Sequence, residues 1–344
     1  MNILIGLLII AVGAFCQSSC YVPINRIREW SWESYWLVQG IFAWIVFPMC
    51  GALMAVPAGE SLWQLFVSAP KFNVWMTLLF GILWGIGGLT FGLSMRYLGV
   101  ALGQSIALGT CAGLGTVMGP ILLHIFFPEQ NALQQLTFAV LIGVAVTLIG
   151  IMIIGVAGGM KSAEQATQEQ PTNTQTEFNF TKGIIIALLA GFMSGCFNVG
   201  LTFGADIYFE QTNAMFRTLP ATLLVTLGGF LTNMVYCLWQ NKKNNTFADY
   251  RKANVWLNNL LFCFLAGALW YSQFFGLSLG KGFLTESPQL VTLSFCILMA
   301  LNVVFSNVWG IILREWKGVS KMTIAILITG LIILIISSFI PQLI

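Results

Sequence analysis

The sequence predicts an all-α integral membrane protein of ten transmembrane helices, arranged as two five-helix repeats of inverted topology. Three observations carry that expectation. Of the 344 residues, 58% are hydrophobic and only 8% charged, whereas a soluble domain carries about 25% charged residues. So little charge leaves a soluble surface uncovered. It suits a surface that faces lipid, where a charge at mid-bilayer costs roughly 3 kcal/mol. Second, the apolar residues gather into segments of spanning length. Third, lysine and arginine fall almost entirely in alternate loops.

A spanning helix takes about 20 apolar residues. Ten such segments cover residues 2–23, 32–54, 72–95, 98–125, 136–158, 183–207, 219–239, 255–279, 288–313 and 322–340. The ninth is the least uniform, because Asn302 and Asn307 interrupt it. No Lys or Arg precedes Arg26. A secretory leader needs a positive start, so residues 1–23 read as the first spanning helix. Residues 161–182 are rich in Gln, Thr and Glu and read as a cytoplasmic linker. They separate a first repeat, residues 1–160, from a second, residues 183–344.

The halves echo each other weakly. Leu83-Trp84 followed by Phe91-Gly-Leu-Ser94 parallels Leu269-Trp270 followed by Phe275-Gly-Leu-Ser278. An odd number of helices per half puts the halves in opposite orientations, a plan shared by many secondary transporters. The positive-inside rule then sets direction. Loops after the odd-numbered helices hold Arg26, Arg28, Arg96, Lys161, Lys182, Lys242, Lys243, Arg251, Lys252, Arg314, Lys317 and Lys321. The even-numbered ones hold Lys71, Arg217 and Lys281. The first set is expected in the cytoplasm, with both termini outside.

Glycines four residues apart, such as Gly81/Gly85, Gly191/Gly195 and Gly276/Gly280, permit close helix approach. In the fourth segment Gly109, Gly113, Gly115 and Gly119 precede Pro120, a helix expected to bend easily.

No pair of carboxylates lies at mid-membrane depth, so catalysis within the membrane is not expected. One histidine, His124, makes no metal cluster, and it sits where an interfacial role is expected. No cofactor or nucleotide motif occurs, and a net charge of +3 without a basic stripe excludes nucleic acid as a partner. The eight cysteines lie in apolar stretches and read as small buried residues. Deep polar residues are neutral amides: Gln17, Gln39, Gln104, Asn198, Asn233, Gln273 and Asn302. Trp44, Trp84, Trp270 and Tyr271 lie at comparable depth. Amides donate to and accept from hydroxyl groups, and an aromatic face meets the C–H face of a sugar. An uncharged polyol suits this set better than an organic ion. The competing role for each amide is an interhelical hydrogen bond. Glu33 and Arg96 sit at the cytoplasmic ends of the second and third helices. Asp206, Lys281 and Glu286 lie toward the outside.

The chain resembles the L-rhamnose–proton symporter family of the drug/metabolite transporter superfamily. The resemblance is carried by Trp30-Ser-Trp-Glu33 through Gln39-Gly40, by Leu83 through Gly99, by Leu102-Gly-Gln-Ser-Ile-Ala-Leu-Gly109 and by Gly191-Phe-Met-Ser-Gly-Cys-Phe-Asn198. Leu227 through Asn233, Leu269 through Phe275, Phe305 through Gly310 and Arg314 through Lys317 extend it along the whole chain. It implies ten helices and proton-driven import of L-rhamnose, or a closely related sugar, across the bacterial inner membrane. Proton coupling comes from the resemblance alone. One region departs: where the family often carries Ser-Trp and then His-Met, this chain has Ser294-Phe295 and Leu298-Met299.

The expected mechanism is alternating access, with sugar and proton as partners within the lipid bilayer. Substrate-binding residues are expected to be Gln17, Gln39, Trp84, Gln104, Asn198, Trp270, Gln273 and Asn302. Glu33 and Arg96 are expected to couple protons or gate, with Glu33 the first choice for a proton-sensitive carboxylate. The alternative is a facilitator or exporter of another small metabolite on the same fold.

Overall fold

The computed structural model of the chain describes residues 2–98, 100–168 and 180–344. In chain order its α-helices are α1 (Asn2–Ser18), α2 (Tyr21–Ile24), α3 (Trp32–Ile41), α4 (Phe47–Met54), α5 (Leu62–Ser68), α6 (Lys71–Leu98) and α7 (Val100–Phe126). They continue as α8 (Phe138–Gln168), α9 (Phe180–Phe203), α10 (Leu219–Asn244), α11 (Ala253–Phe283), α12 (Pro288–Ile312), α13 (Lys321–Ser337) and α14 (Ile340–Leu343). Short 3-10 turns join some of them, and the described residues contain no strand. Nine described helices are long and apolar enough to cross a bilayer. A further apolar helix, Lys321–Ser337, is shorter. The protein is a multi-pass membrane protein.

The expected segments and the observed helices agree closely, with three differences. The fifth segment runs on as helix through Gln168, inside the stretch read as linker. Residues 169–179 of that stretch lie outside the described residues. Helix α5 was not expected, because seven residues are too few to span. Its start nonetheless has a cap: Ser61 Oγ accepts from the Gln64 amide at 3.2 Å and donates to Gln64 Oε1 at 2.8 Å. Third, the second segment is interrupted by a π-helical turn, Phe42–Val46. Its cause is Pro48, which has no N–H to give to the carbonyl four residues back. The Phe47 amide instead bonds the Phe42 carbonyl, five residues away. Pro120, by contrast, lies inside an uninterrupted α7.

The chain divides into two compact units. Unit 1 comprises residues 1–85 and 200–286, and unit 2 comprises residues 86–199 and 287–344. Each draws on both halves of the sequence, and the division falls within α6 and α9. In unit 1, α1 lies along α11 with glycines on both sides. A Cβ at Gly280 would stand 2.8 Å from the Gly6 carbonyl, and one at Gly13 the same distance from the Ser272 carbonyl. In unit 2, α7 meets α9 where a Cβ at Gly195 would stand 3.0 Å from the Gly115 nitrogen. Backbones this close recover packing energy that lipid-like side chains cannot supply.

Candidate substrate site

Unit 1 contains a connected set of tryptophans. The helix that begins at Trp32 carries Trp32, Trp36 and Trp44. Trp32 and Trp36 stack at 5.5 Å, and Trp36 meets Trp44 edge to face at 5.7 Å. Trp44 also meets Trp84 of α6 at 5.9 Å and Trp270 of α11 at 5.8 Å. Trp84 and Trp270 close the triangle at 5.7 Å. Edge-to-face pairs at these separations are favourable beyond the area they bury. Backbone without side chains makes room for the rings: Gly229 lies directly against Trp84, and a Cβ at Gly40 would stand 2.6 Å from the Trp44 ring. Trp44 occupies the π-turn, so its place in the triangle depends on the extra residue that Pro48 forces into the helix.

Polar atoms accompany the rings. Trp36 Nε1 donates to Asn233 Oδ1 at 3.0 Å, and Asn233 Nδ2 donates to the Gly229 carbonyl at 2.9 Å. Three others are fully buried with no hydrogen-bond partner among the described residues: Gln39 Oε1, Trp44 Nε1 and Tyr271 Oη. Gln39 as a whole is 2% exposed. A buried polar atom left unpaired costs about 1–3 kcal/mol, and such atoms in a folded protein call for an explanation. An acceptor and two donor hydroxyl or indole groups, all uncharged and in the same unit as the rings, suit a ligand rich in hydroxyls.

The start of α3 is pinned by a second polar cluster. Asp249 Oδ2 accepts from the Ser31 amide at 2.8 Å, from Ser31 Oγ at 2.8 Å and from Ser34 Oγ at 2.9 Å. Lys252 pairs with Asp249 Oδ1 at 2.8 Å. Burial pushes the Asp249 carboxyl up, but the Lys252, Ser31 and Ser34 donors outweigh it and hold the pKa at about 2. Two positions after Ser31, the buried Glu33 accepts from Asn244 Nδ2 at 3.0 Å and Thr246 Oγ1 at 2.8 Å.

The expected site residues divide between the units. Unit 1 holds Gln17, Glu33, Gln39, Trp84, Trp270 and Gln273, and unit 2 holds Arg96, Gln104, Asn198 and Asn302. The structure brings Trp84 and Trp270 together. Gln17 is half-buried on α1. Gln273 donates to the Trp270 carbonyl of its own helix at 3.2 Å. Asn198 Nδ2 donates to the Gly115 carbonyl of α7 at 2.8 Å, the interhelical bond named as the competing role. Asn302 is buried on α12. Gln104 lines a cavity of about 370 Å³ in unit 2. The Arg96 side chain lies outside the described residues. Phe295 and Leu298, at the two departing positions, are buried in unit 2, Phe295 against Gly115.

Trp44 and Trp36 were not among the expected binding residues, although they join every ring of the set. A proline four residues after Trp44 was the signal available for its unusual placement.

Comparison with known proteins agrees along the entire length. The family model of the L-rhamnose-proton symport protein (RhaT) matches residues 1–343. An L-rhamnose-proton symporter of Yersinia pestis (strain Pestoides F) is 31% identical over 351 aligned residues, covering 98% of this chain and 96% of the relative. The L-rhamnose-proton symporter of Yersinia pseudotuberculosis serotype O:1b (strain IP 31758) matches to the same extent. A likeness that runs from the first helix to the last, and not through one motif, establishes kinship: this chain belongs to the L-rhamnose-proton symporter family.

Proposed function

We propose that the protein imports L-rhamnose, or a closely related sugar, together with a proton, by alternating access across the bacterial inner membrane. The observation that carries this reading is the tryptophan triangle accompanied by buried, unpartnered Gln39 Oε1 and Trp44 Nε1. Aromatic faces and uncharged hydrogen-bonding atoms match a neutral sugar. The relatives named above are symporters of L-rhamnose and protons, and the reading extends that activity to this chain.

The substrate residues are then Gln39, Trp84, Trp270, Gln17 and Gln273 in unit 1, with Gln104, Asn198 and Asn302 in unit 2. Trp44 joins them. Glu33 and Arg96 serve proton coupling or gating. Lys321–Ser337 is the tenth span, since its 17 residues fall at the lower end of the usable range of roughly 17–25. The spans form two inverted repeats, residues 1–160 and 183–344, joined by the cytoplasmic segment 161–182, with both termini periplasmic.

The test is uptake of labelled L-rhamnose into proteoliposomes with an acid exterior. Accumulation that collapses on adding a protonophore is the expected result. Flux of rhamnose without accumulation turns the reading into the facilitator alternative. Absence of flux in counterflow with a panel of sugars removes the sugar altogether. An impermeant thiol reagent on whole cells checks the topology, with labelling of Asn2→Cys and Gln342→Cys expected from outside.

A further inference from the structure

The unit 2 cavity lies among α7, α8, α12 and the 313–320 connection that leads to α13. Its volume of about 370 Å³ falls within the range of small-molecule sites, roughly 300–1,000 Å³. Gln104 and Ser105 reach it from α7, and neither side chain makes a hydrogen bond within the described residues. Asn307 reaches it from α12 and gives its Nδ2 to the Val303 carbonyl at 2.9 Å, which leaves Oδ1 without a described donor. Leu108, Ile151 and Val303 supply an apolar wall.

The connection turns back over this cavity and is tied there. Arg314 adopts a positive φ of 60°. Glu315 Oε2 stands 3.6 Å from Lys161 Nζ, and Gln165 Nε2 donates to the Glu315 carbonyl at 3.0 Å. Lys161 also sits 4.7 Å from the centre of the Trp316 ring. These ties use exposed or half-exposed groups, whose ion pairs are weak and screened.

We propose that this cavity is a sugar subsite in its own right, with the 313–320 connection as its lid. The proposal rests on the sugar-transport reading above and adds Ser306, Asn307 and Trp316 to it. The Gln104 amide, the Ser105 hydroxyl and Asn307 Oδ1 can satisfy sugar hydroxyls in either direction. The aliphatic wall and the Trp316 ring meet the C–H faces. The two charges at the mouth, Lys161 and Glu315, answer each other, so no net charge is left there to select an ionic ligand.

The probe is L-rhamnose. Ser306→Cys protein in detergent is treated with a maleimide, and modification at position 306 is read by mass spectrometry, apart from the native cysteines. A rhamnose concentration about ten times the half-saturating one is expected to slow modification about ten-fold, by simple occupancy. Adding Trp316→Ala is expected to raise the half-protecting concentration about ten-fold. Asn307→Cys provides a second reporter if Ser306→Cys does not fold. Equal modification with and without rhamnose, in a protein whose parent exchanges rhamnose, overturns the subsite and leaves sugar transport standing. Protection that is unchanged by Trp316→Ala assigns the effect to binding elsewhere and overturns the subsite equally. A parent protein that exchanges no rhamnose removes the underlying reading first.

Discussion

In unit 1, Gln39 and Trp44 hold polar atoms that are buried and unpaired among the described residues; in unit 2, Gln104 and Ser105 leave theirs at the wall of a 370 Å³ cavity. Both arrangements offer hydrogen bonds to a sugar, at different cost to the empty protein. A cavity-lining amide can be wetted. A sealed one cannot, and the empty protein bears the penalty of about 1–3 kcal/mol that an unpaired buried group carries. The unit 1 site therefore has more to gain from its ligand, and the unit 2 site less to lose without it.

The largest expected effect comes from breaking the unit 1 site at its centre. Trp44→Ala removes a ring that touches Trp36, Trp84 and Trp270, and loss of a buried tryptophan costs about 3–5 kcal/mol. Thermal unfolding in detergent should show this, together with loss of rhamnose binding. A variant with unchanged stability and affinity would remove the triangle from both roles.

A matched pair of leucine substitutions sharpens the comparison itself. Gln39→Leu and Gln104→Leu should each weaken rhamnose binding by about 1–3 kcal/mol, read as affinity in the purified protein. Their stabilities should diverge. Gln39→Leu replaces an unpaired buried oxygen with a hydrocarbon of similar shape, so the empty protein should become about 1 kcal/mol more stable. Gln104→Leu should leave it nearly unchanged. A gain for both, or for neither, would mean that the two sites do not differ in the way their burial implies.

A smaller change separates binding from coupling. Glu33 is held by two neutral donors, Asn244 and Thr246. Glu33→Gln keeps its size but cannot titrate. Sugar exchange is expected to persist while accumulation against a gradient is lost. Continued accumulation would move the search to Glu286, Asp206 or His124.

The smallest effect concerns the frame of the tryptophan helix. The folded pKa of Asp249 is about 2, depressed from 3.8. Its contribution to stability is complete above 3.8 and declines as pH falls from there toward 2. The melting temperature of the parent should drop on acidification from pH 5 to pH 3, and Asp249→Asn should flatten that slope. Equal slopes would assign acid sensitivity to other carboxylates.

Much of this architecture was legible in the chain itself, because spanning helices are written in unbroken runs of apolar residues. The second segment was placed at residues 32–54, and α3 through α4 occupies the same bounds. Helix α5 escaped that logic because a short helix has no run to display, only its Ser61–Gln64 cap. Site chemistry was legible as residue type and not as partnership. An amide in an apolar run announces that it needs a partner, but not where the partner is. Asn198 found it in the Gly115 carbonyl, 83 positions away in sequence. Glu33 found Asn244 and Thr246, more than 200 positions away. Such pairings are made by the packing of distant helices, which periodicity does not encode.

The π-turn at residues 42–46 has a consequence for how this helix tolerates change in length. A π-turn is in effect one inserted residue absorbed as a local widening, and it offsets the angular phase of everything beyond it. Upstream of it the helix presents Trp36 and Gln39; downstream it presents Gly51, whose missing side chain leaves room for the Tyr271 hydroxyl. Deleting one residue within the turn would let the backbone relax to ordinary α-helix with both portions keeping nearly their present faces, whereas deleting one residue elsewhere in the helix would rotate one portion against the other by about 100°. The turn is thus where this helix can lose a codon without a phase error, while the same deletion in the α-helical stretches on either side would misalign the two faces without altering the side chains that form them.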